Sequence, residues 1–352
     1  STAAVAALRR RRDWRGALAL FEEVRRSGRT PDVILYSAVI SACEKCGQWD
    51  SALGLLNSMK QRSVLPNVIT CNATVSACEK SNLWSLALRI LLSMREQRLA
   101  PNVITYSAAV SACEKGAQWE FALTLLGELP QTCLQPNLYT FNASISACAR
   151  AAQWRRALTL FEQVHEDRLC ADIITYSAVI SGFERAELWP LGLHALLQMK
   201  GRSLGPSSVT HSIVLTACGK ATHWQRALAL FCELQAAGGV PDTIAYGAAI
   251  SACERGGQWA KALALLDAME RKGPAPDALV YSSVMCASQN GRQWGIALAL
   301  FSSMRLRSLL PTLMAYNVAL ASCAQEKLWK RALELLFEMQ RTCVEPDTES
   351  FK

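Results

Sequence analysis

The sequence predicts an all-α fold, a solenoid of helix-turn-helix repeats, and three observations predict it. All ten tryptophans, Trp14, Trp49, Trp84, Trp119, Trp154, Trp189, Trp224, Trp259, Trp294 and Trp329, lie 35 residues apart. A fixed period of this size marks a helical array. Within the period, apolar residues recur at helical steps in two separate stretches. The second stretch stops at a Pro-Asp or Pro-Asn pair, as in Pro31-Asp32, Pro66-Asn67, Pro101-Asn102, Pro241-Asp242 and Pro276-Asp277. Proline ends a helix, and the Asp or Asn after it can cap the next one.

With Val33 as position 1, a single array occupies 1–352. The full units are 33–67, 68–102, 103–137, 138–172, 173–207, 208–242, 243–277, 278–312 and 313–347. A partial unit, 1–32, precedes them, and 348–352 begin another. The first helix of a unit covers about positions 2 to 13, with Tyr36, Ile40 and Cys43 on one apolar stripe. The second starts near the tryptophan and carries Trp49, Ala52, Leu53, Leu56 and Met59 at the same steps. Pairs such as Cys46-Gly47 and Gly256-Gly257 suit the tight turn between them. Three residues after each tryptophan stands alanine, replaced only by Gly192, so two helix axes can approach closely there. The tryptophan itself reads as a packing residue on the core-facing stripe, with an aromatic ladder for bases as its functional rival.

Composition narrows the class. A hydrophobic fraction of 51% excludes a disordered chain. No apolar run reaches the ~18 residues of a membrane-spanning helix. A net charge of +8 permits a polyanionic partner without requiring one. Seven of the 14 cysteines (Cys43, Cys78, Cys113, Cys148, Cys218, Cys253, Cys323) share position 11. Stacked units keep equal positions too far apart for disulfides, so these read as small core residues in a reducing compartment. The lone CxxC, Cys43/Cys46, lacks further ligands for zinc. His165, His194, His211 and His223 share no metal or catalytic spacing and read as surface or partly packed groups. The run Arg9 to Arg12 falls at a turn, solvated or touching phosphate. The chain begins in mid-repeat without a signal-peptide pattern, as a piece of a longer protein would.

Units of 35 residues with an aromatic-Asn/Ser pair (Tyr36-Ser37, Phe141-Asn142), an A-L-x-L stretch (Ala157 to Leu160) and a closing Pro-Asp or Pro-Asn resemble the pentatricopeptide repeat family. The resemblance covers nearly the whole chain, in the ungapped subclass of constant repeat length. It implies a right-handed superhelical α-solenoid. The tryptophan at position 17 is a peculiarity of this array. The W-x₂-L-G-x₂-Y pattern of the 34-residue tetratricopeptide repeat is absent.

Positions 2, 5, 9 and 13 share the face of the first helix that avoids the core stripe. Position 2 is apolar: Ile34, Ile69, Ile104, Tyr139, Ile174, Val209, Ile244, Leu279 and Met314. Position 5 is short and polar: Ser37, Asn72, Ser107, Asn142, Ser177, Ser212, Ser282 and Asn317, with Gly247 the exception. Position 9 is Ser or Thr in seven units, and position 13 is basic in seven: Lys45, Lys80, Lys115, Arg150, Arg185, Lys220 and Arg255. Stacked, these would form a groove with apolar wedges for base faces, donor/acceptor groups for base edges and a cationic rail for phosphates. Single-stranded nucleic acid needs those three things. Glu precedes the basic residue in several units (Glu44, Glu79, Glu114), so charge alone is weak evidence.

The family resemblance implies RNA, one base per unit, read by position 5 together with the last residue of the unit. The pairs here are Ser37/Asn67, Asn72/Asn102, Ser107/Asn137, Asn142/Asp172, Ser177/Ser207, Ser212/Asp242, Gly247/Asp277, Ser282/Thr312 and Asn317/Asp347. Thr2/Asp32 is a further pair in the partial unit. By the family's pairing rules they resemble readers of 5′-(G)-A-Y-A-U-N-G-N-N-U-3′. Ser207, Gly247 and Thr312 depart from the pattern.

The expected function is sequence-selective single-stranded RNA binding without catalysis, cofactor, metal, membrane or small-molecule substrate. The resemblance implies a role in organellar RNA processing, stabilisation or translation, in mitochondrion or chloroplast, with RNA-processing proteins as partners. Two alternatives stay open. One is a protein-binding scaffold like the tetratricopeptide type. The other is the RNA-recognition part of a longer processing enzyme; the chain carries no H-x-E…P-C-x-x-C deaminase signature.

Overall fold

The structure, a computed structural model, describes residues 13–27, 30–236 and 241–341. Thr2, the Arg9 to Arg12 run, Asp347 and 348–352 lie outside them. Among the described residues the chain forms nineteen α-helices and no strand. They are α1 Trp14–Arg26, α2 Val33–Lys45, α3 Trp49–Gln61, α4 Val68–Lys80, α5 Trp84–Glu96, α6 Val103–Lys115, α7 Trp119–Gln131, α8 Leu138–Arg150, α9 Trp154–Glu166 and α10 Ile173–Arg185. There follow α11 Trp189–Gly201, α12 Ser208–Lys220, α13 Trp224–Ala236, α14 Thr243–Arg255, α15 Trp259–Lys272, α16 Ala278–Asn290, α17 Trp294–Leu306, α18 Leu313–Gln325 and α19 Trp329–Arg341.

The helices fall into two compact units, residues 1–182 and 183–352. In the first, α2, α4, α6 and α8 pack side by side, each also against its own second helix. In the second, α12, α14, α16 and α18 do the same. No helix among the described residues is long and apolar enough to cross a membrane.

Position 4 is the centre of each layer. Tyr36, Tyr106, Tyr176, Tyr281 and Tyr316 are fully buried there. The ring of a preceding second helix meets three of these tyrosines and the position-4 Tyr246 edge-on: Phe21 on Tyr36, Phe161 on Tyr176, Phe231 on Tyr246 and Phe301 on Tyr316, at 4.9–5.3 Å between centroids. Each such pair adds roughly 0.5–1.5 kcal/mol beyond its buried area. His211 takes this position in its unit and is buried, more fully packed than the surface or partly packed group its sequence context suggested; burial pulls its pKa down. The alanines after each tryptophan are closed off completely in most units, as in Ala52, Ala87, Ala122 and Ala262. The position-11 cysteines are buried and free, and burial pushes the thiols of Cys43, Cys78, Cys113, Cys148 and Cys253 up to about 11.

The tryptophans pack as expected, Trp14 and Trp49 lying partly buried against the core cluster, and they also reach the neighbouring repeat. From Trp14 to Trp294 they are half-buried, and Trp84, Trp119, Trp189, Trp224 and Trp259 lie at the seam with the following repeat. Trp84 stacks on Phe121 of the following unit at 5.6 Å. Its ring lies so close to the next turn that a Cβ on Gly116 would stand 2.3 Å from Trp84 Cδ1. Elsewhere the next unit lays a cation over the ring: Arg156 on Trp119, Arg226 on Trp189 and Lys261 on Trp224, at 4.4, 4.5 and 3.8 Å.

The turn between helices is made by a left-handed residue at position 15. Only Gly47 and Gly257 are glycines there; Asn82, Ala117, Ala152, Glu187, Thr222, Arg292 and Lys327 hold φ of 55–62°. The backbone gains from it: in the first full unit Gly47 N–H bonds Glu44 C=O at 3.1 Å and Gln48 N–H bonds Cys43 C=O at 3.0 Å. These satisfy carbonyls that a helix end otherwise leaves open. A β-branched residue suits this conformation worst. Thr222→Gly is therefore expected to stabilise the protein by about 0.5–1 kcal/mol, read as a higher denaturant midpoint at unchanged slope. An unchanged or lower midpoint would show that unfolded-state entropy cancels the relief.

Candidate nucleic-acid interface

The candidate face begins at the cap of each first helix. Position 35 of one unit is the N-cap of the next helix. Asp32, Asn67, Asn102, Asn137, Asp172, Ser207, Asp242, Asp277 and Thr312 accept the backbone N–H of position 3 at 2.8–3.2 Å. This bond fixes how the side chain is turned. With Oδ1 engaged by the helix, an aspartate has Oδ2 left, an acceptor; an asparagine has Nδ2 left, a donor. The cap thus converts a one-atom difference into opposite hydrogen-bonding character.

Position 5 sits one turn on, and in four units its side chain meets position 35. Asn72 Nδ2 donates to Asn102 Oδ1 at 3.2 Å, and Asn142 Nδ2 donates to Asp172 Oδ1 at 3.2 Å. Ser212 donates to Asp242 at 3.3 Å, and the hydroxyls of Ser282 and Thr312 lie 2.7 Å apart. Ser37, Ser107 and Ser177 instead turn back to carbonyls of their own helices, Ile34, Val103 and Ile173, at 2.9, 2.7 and 2.6 Å.

Sequence reasoning missed the threonine at position 3. Thr105 Oγ donates to Asn72 Oδ1 at 2.5 Å and Thr175 Oγ to Asn142 Oδ1 at 2.7 Å. Each bond fixes the amide of the preceding unit with its NH₂ toward position 35. The signal was there: Thr70, Thr105, Thr140, Thr175 and Thr210 recur at this position and are buried. Burial raises the pKa of Asp172, but hydrogen bonds from the Thr175 amide, the Thr175 hydroxyl and Asn142 outweigh it and hold the carboxyl below its usual value.

Position 2 is exposed in all nine units. Ile34, Ile69, Ile104, Tyr139, Ile174, Val209, Ile244, Leu279 and Met314 show 52–66% of their surface. Isolated exposed apolar side chains need no explanation, but one at the same place in every repeat forms a regular apolar row in each unit.

The basic position differs from a rail of unpartnered cations. The glutamate at position 12 of one unit takes the position-13 cation of the next: Glu44–Lys80 at 2.7 Å, Glu79–Lys115 at 3.0 Å, Glu114–Arg150 at 3.4 Å and Glu184–Lys220 at 2.5 Å. The position-9 serines Ser76, Ser111 and Ser146 donate to the same carboxylates. The Glu-Lys neighbours in sequence are therefore not partners; pairing runs between repeats. Gly219 stands at position 12 of the repeat before Arg255, so this glutamate does not recur there.

Models of the PPR repeat family match residues 31–78 and 66–115. A pentatricopeptide repeat domain model matches 124–185 and 264–326, and a PPR repeat model matches 209–239, 244–274 and 314–343. The chain belongs to the pentatricopeptide repeat family. Between 31 and 343 only 116–123, 186–208 and 240–243 stand outside a matched segment. No curated protein matches the chain. Among solved pentatricopeptide repeat structures it is similar to PPR10 from maize, at 20% identity over 100% of this chain and 64% of that one, TM-score 0.49. It is also similar to the PPR domain of Arabidopsis thaliana protein-only RNase P 1 in complex with tRNA, at 15% identity over 50% of this chain and 92% of that one, TM-score 0.45. Yeast Rmd9p in complex with a 16-nt target RNA matches at 12% identity over 92% of this chain and 74% of that one, TM-score 0.43. The chain spans about two-thirds of the length of the PPR10 structure.

Proposed function

We propose that this chain binds single-stranded RNA sequence-selectively, one base per repeat, and acts through occupancy in organellar RNA processing, stabilisation or translation. The observation that carries the reading is the meeting of positions 5 and 35 beside an exposed apolar position 2. Family membership supports RNA as the ligand class. A base laid against Ile174 or Tyr139 would bring its edge to the Asn142/Asp172 pair, whose polarity the cap and Thr175 fix in advance. Preorganised donors and acceptors discriminate because the wrong base leaves one of them unpaired.

Selection from a random RNA pool, at stated salt, tests this directly. Asn142→Ser is expected to move the preference at the unit 138–172 from U toward G and leave the other positions unchanged. A pool in which that position does not move sinks the base-reading assignment. One observation favours a protein-binding scaffold instead: four position-13 cations already have carboxylate partners. Binding that ignored salt and selected peptides would establish that reading, since phosphate contacts release counterions and peptide grooves need not.

A further inference from the structure

Spaces lie between successive second helices, lined by none of positions 2, 5, 9 and 13. Between α3 and α5, α15 and α17, and α17 and α19 their volumes are about 150, 380 and 220 Å³. Between α7 and α9 the space is about 850 Å³. That falls within the ~300–1,000 Å³ of binding clefts. The sequence explains the width. In other units the position-28 side chain crosses to position 26 of the next: Lys60 to Ser93 at 2.7 Å, Arg95 to Glu128, Lys200 to Glu233 at 2.6 Å and Arg305 to Glu338 at 3.1 Å. Position 28 of the unit 103–137 is Pro130, which has no polar side chain to send across to Gln163. Gly127, at position 25, leaves out a further side chain; leucine stands there in two other units, as Leu92 and Leu197.

Leu123, Leu126 and Pro130 lie at steps of three and four along α7, a row about 10 Å long at ~1.5 Å per residue. Leu134, Phe141 and Leu160 complete the apolar lining. Pro130 also has no N–H to give the Leu126 carbonyl, so this wall holds a backbone acceptor without its helical donor. One end of the space is acidic. Glu166 and Asp167 are the charged residues of the lining; both are exposed, and they stand at the C-terminus of α9. The carbonyl end of a helix adds partial negative charge to theirs. α7 ends beside the same space and has no basic residue in its last turn. The three narrower spaces each hold cations instead: Lys60 and Arg89, Arg307, and Arg305 and Arg331. In a chain of net charge +8, the widest of these four spaces is the one lined by carboxylates alone.

We propose that the groove between α7 and α9 takes a short amphipathic helix of a partner protein, its apolar side chains on the Leu123–Pro130 row and Phe141 and its Lys or Arg residues against Glu166 and Asp167. A hydrophobic groove between two helices suits a helix that presents apolar anchors at i, i+3, i+4 and i+7. The acidic end supplies the charge complementarity that selects a basic partner and fixes its direction. No side chain of position 2, 5, 9, 13 or 35 lines the groove, so it is filled or emptied independently of the candidate nucleic-acid face. The proposal therefore does not rest on the RNA reading.

The probe is a labelled helical peptide of about four turns, with leucines at i, i+3, i+4 and i+7 on one face and arginines at one end, made in both directions. Fluorescence anisotropy with the whole chain is expected to show binding, about tenfold tighter than that of the same peptide with glutamates for arginines. Gly127→Leu is expected to weaken the arginine peptide by about tenfold or more. Nothing lies within 4 Å of a Cβ at Gly127, and leucine favours a helix over glycine, so the thermal midpoint is expected to hold or rise. Glu166→Gln with Asp167→Asn keeps the shape of the groove; it is expected to weaken the arginine peptide by about threefold and flatten its salt dependence. No binding, equal binding of the arginine and glutamate peptides, or binding that survives Gly127→Leu overturns the proposal. Displacement of the peptide by single-stranded RNA places it on the other face and overturns it too. Self-association of the wild type in sedimentation that Gly127→Leu removes, with no peptide bound, makes a second copy the occupant and overturns the partner assignment.

Discussion

Replacing Glu44, Glu79 and Glu114 together by glutamine is expected to tighten RNA binding. Each glutamate now holds the position-13 cation of the following repeat. A phosphate reaching Lys80, Lys115 or Arg150 must compete with that carboxylate and also meet its charge. Glutamine removes the charge and keeps an acceptor for Ser76, Ser111 and Ser146, so the repeat stack loses little. The ion pairs are partly exposed, and such pairs contribute roughly 0.2–1 kcal/mol each. Three released cations would steepen the plot of log affinity against log salt by roughly 0.7 per phosphate contact, about 2 in all. The opposite triple, Lys80→Ala, Lys115→Ala and Arg150→Ala, is expected to flatten the same plot if residual phosphate contact exists in the wild type. Fluorescence anisotropy with one RNA across a salt series reads both. If neither triple changes the slope, position 13 belongs to the scaffold and phosphates are met elsewhere.

The ladder also marks the limit of what could be read from the sequence. Register was legible because 35 residues repeat without a gap, so exposure at position 2 and burial at positions 4, 8 and 11 followed from helical geometry alone. Partner choice was not. Glu79 and Lys80 are adjacent in sequence, yet Glu79 binds Lys115, 36 residues on. Helical periodicity within one unit says which face a residue occupies; it does not say which neighbour's cation lies over it. The Asn142 amide is a similar case. Its identity was readable, but its orientation is set by Thr175 from the next unit. The groove between α7 and α9 was least legible, because it is made where side chains are missing. Gly127 and Pro130 gave no signal in the sequence until both fell beside one space.

Trp84→Ala is expected to cost about 3 kcal/mol, and Trp329→Ala less than about 0.5 kcal/mol, although both residues occupy position 17. The difference follows from what covers each ring. Trp84 lies on the Gly116 turn and against Phe121, so its removal opens the seam between the units 68–102 and 103–137. Nothing in the following turn can close the gap, since Gly116 has no side chain to move into it. Trp329 is 66% exposed, and the ammonium of its neighbour Lys330 lies 5.4 Å from the ring centroid. In a stack whose units touch only their neighbours, stability is a sum of unit terms and interface terms. Trp84→Ala subtracts from an interface term, so it should lower cooperativity as well as midpoint: a smaller denaturant slope followed by circular dichroism. A residue that merely filled a core would lower the midpoint at constant slope. Equal shifts for the two variants would return the tryptophans to the interior of single repeats and remove the seam from the account of how the stack holds.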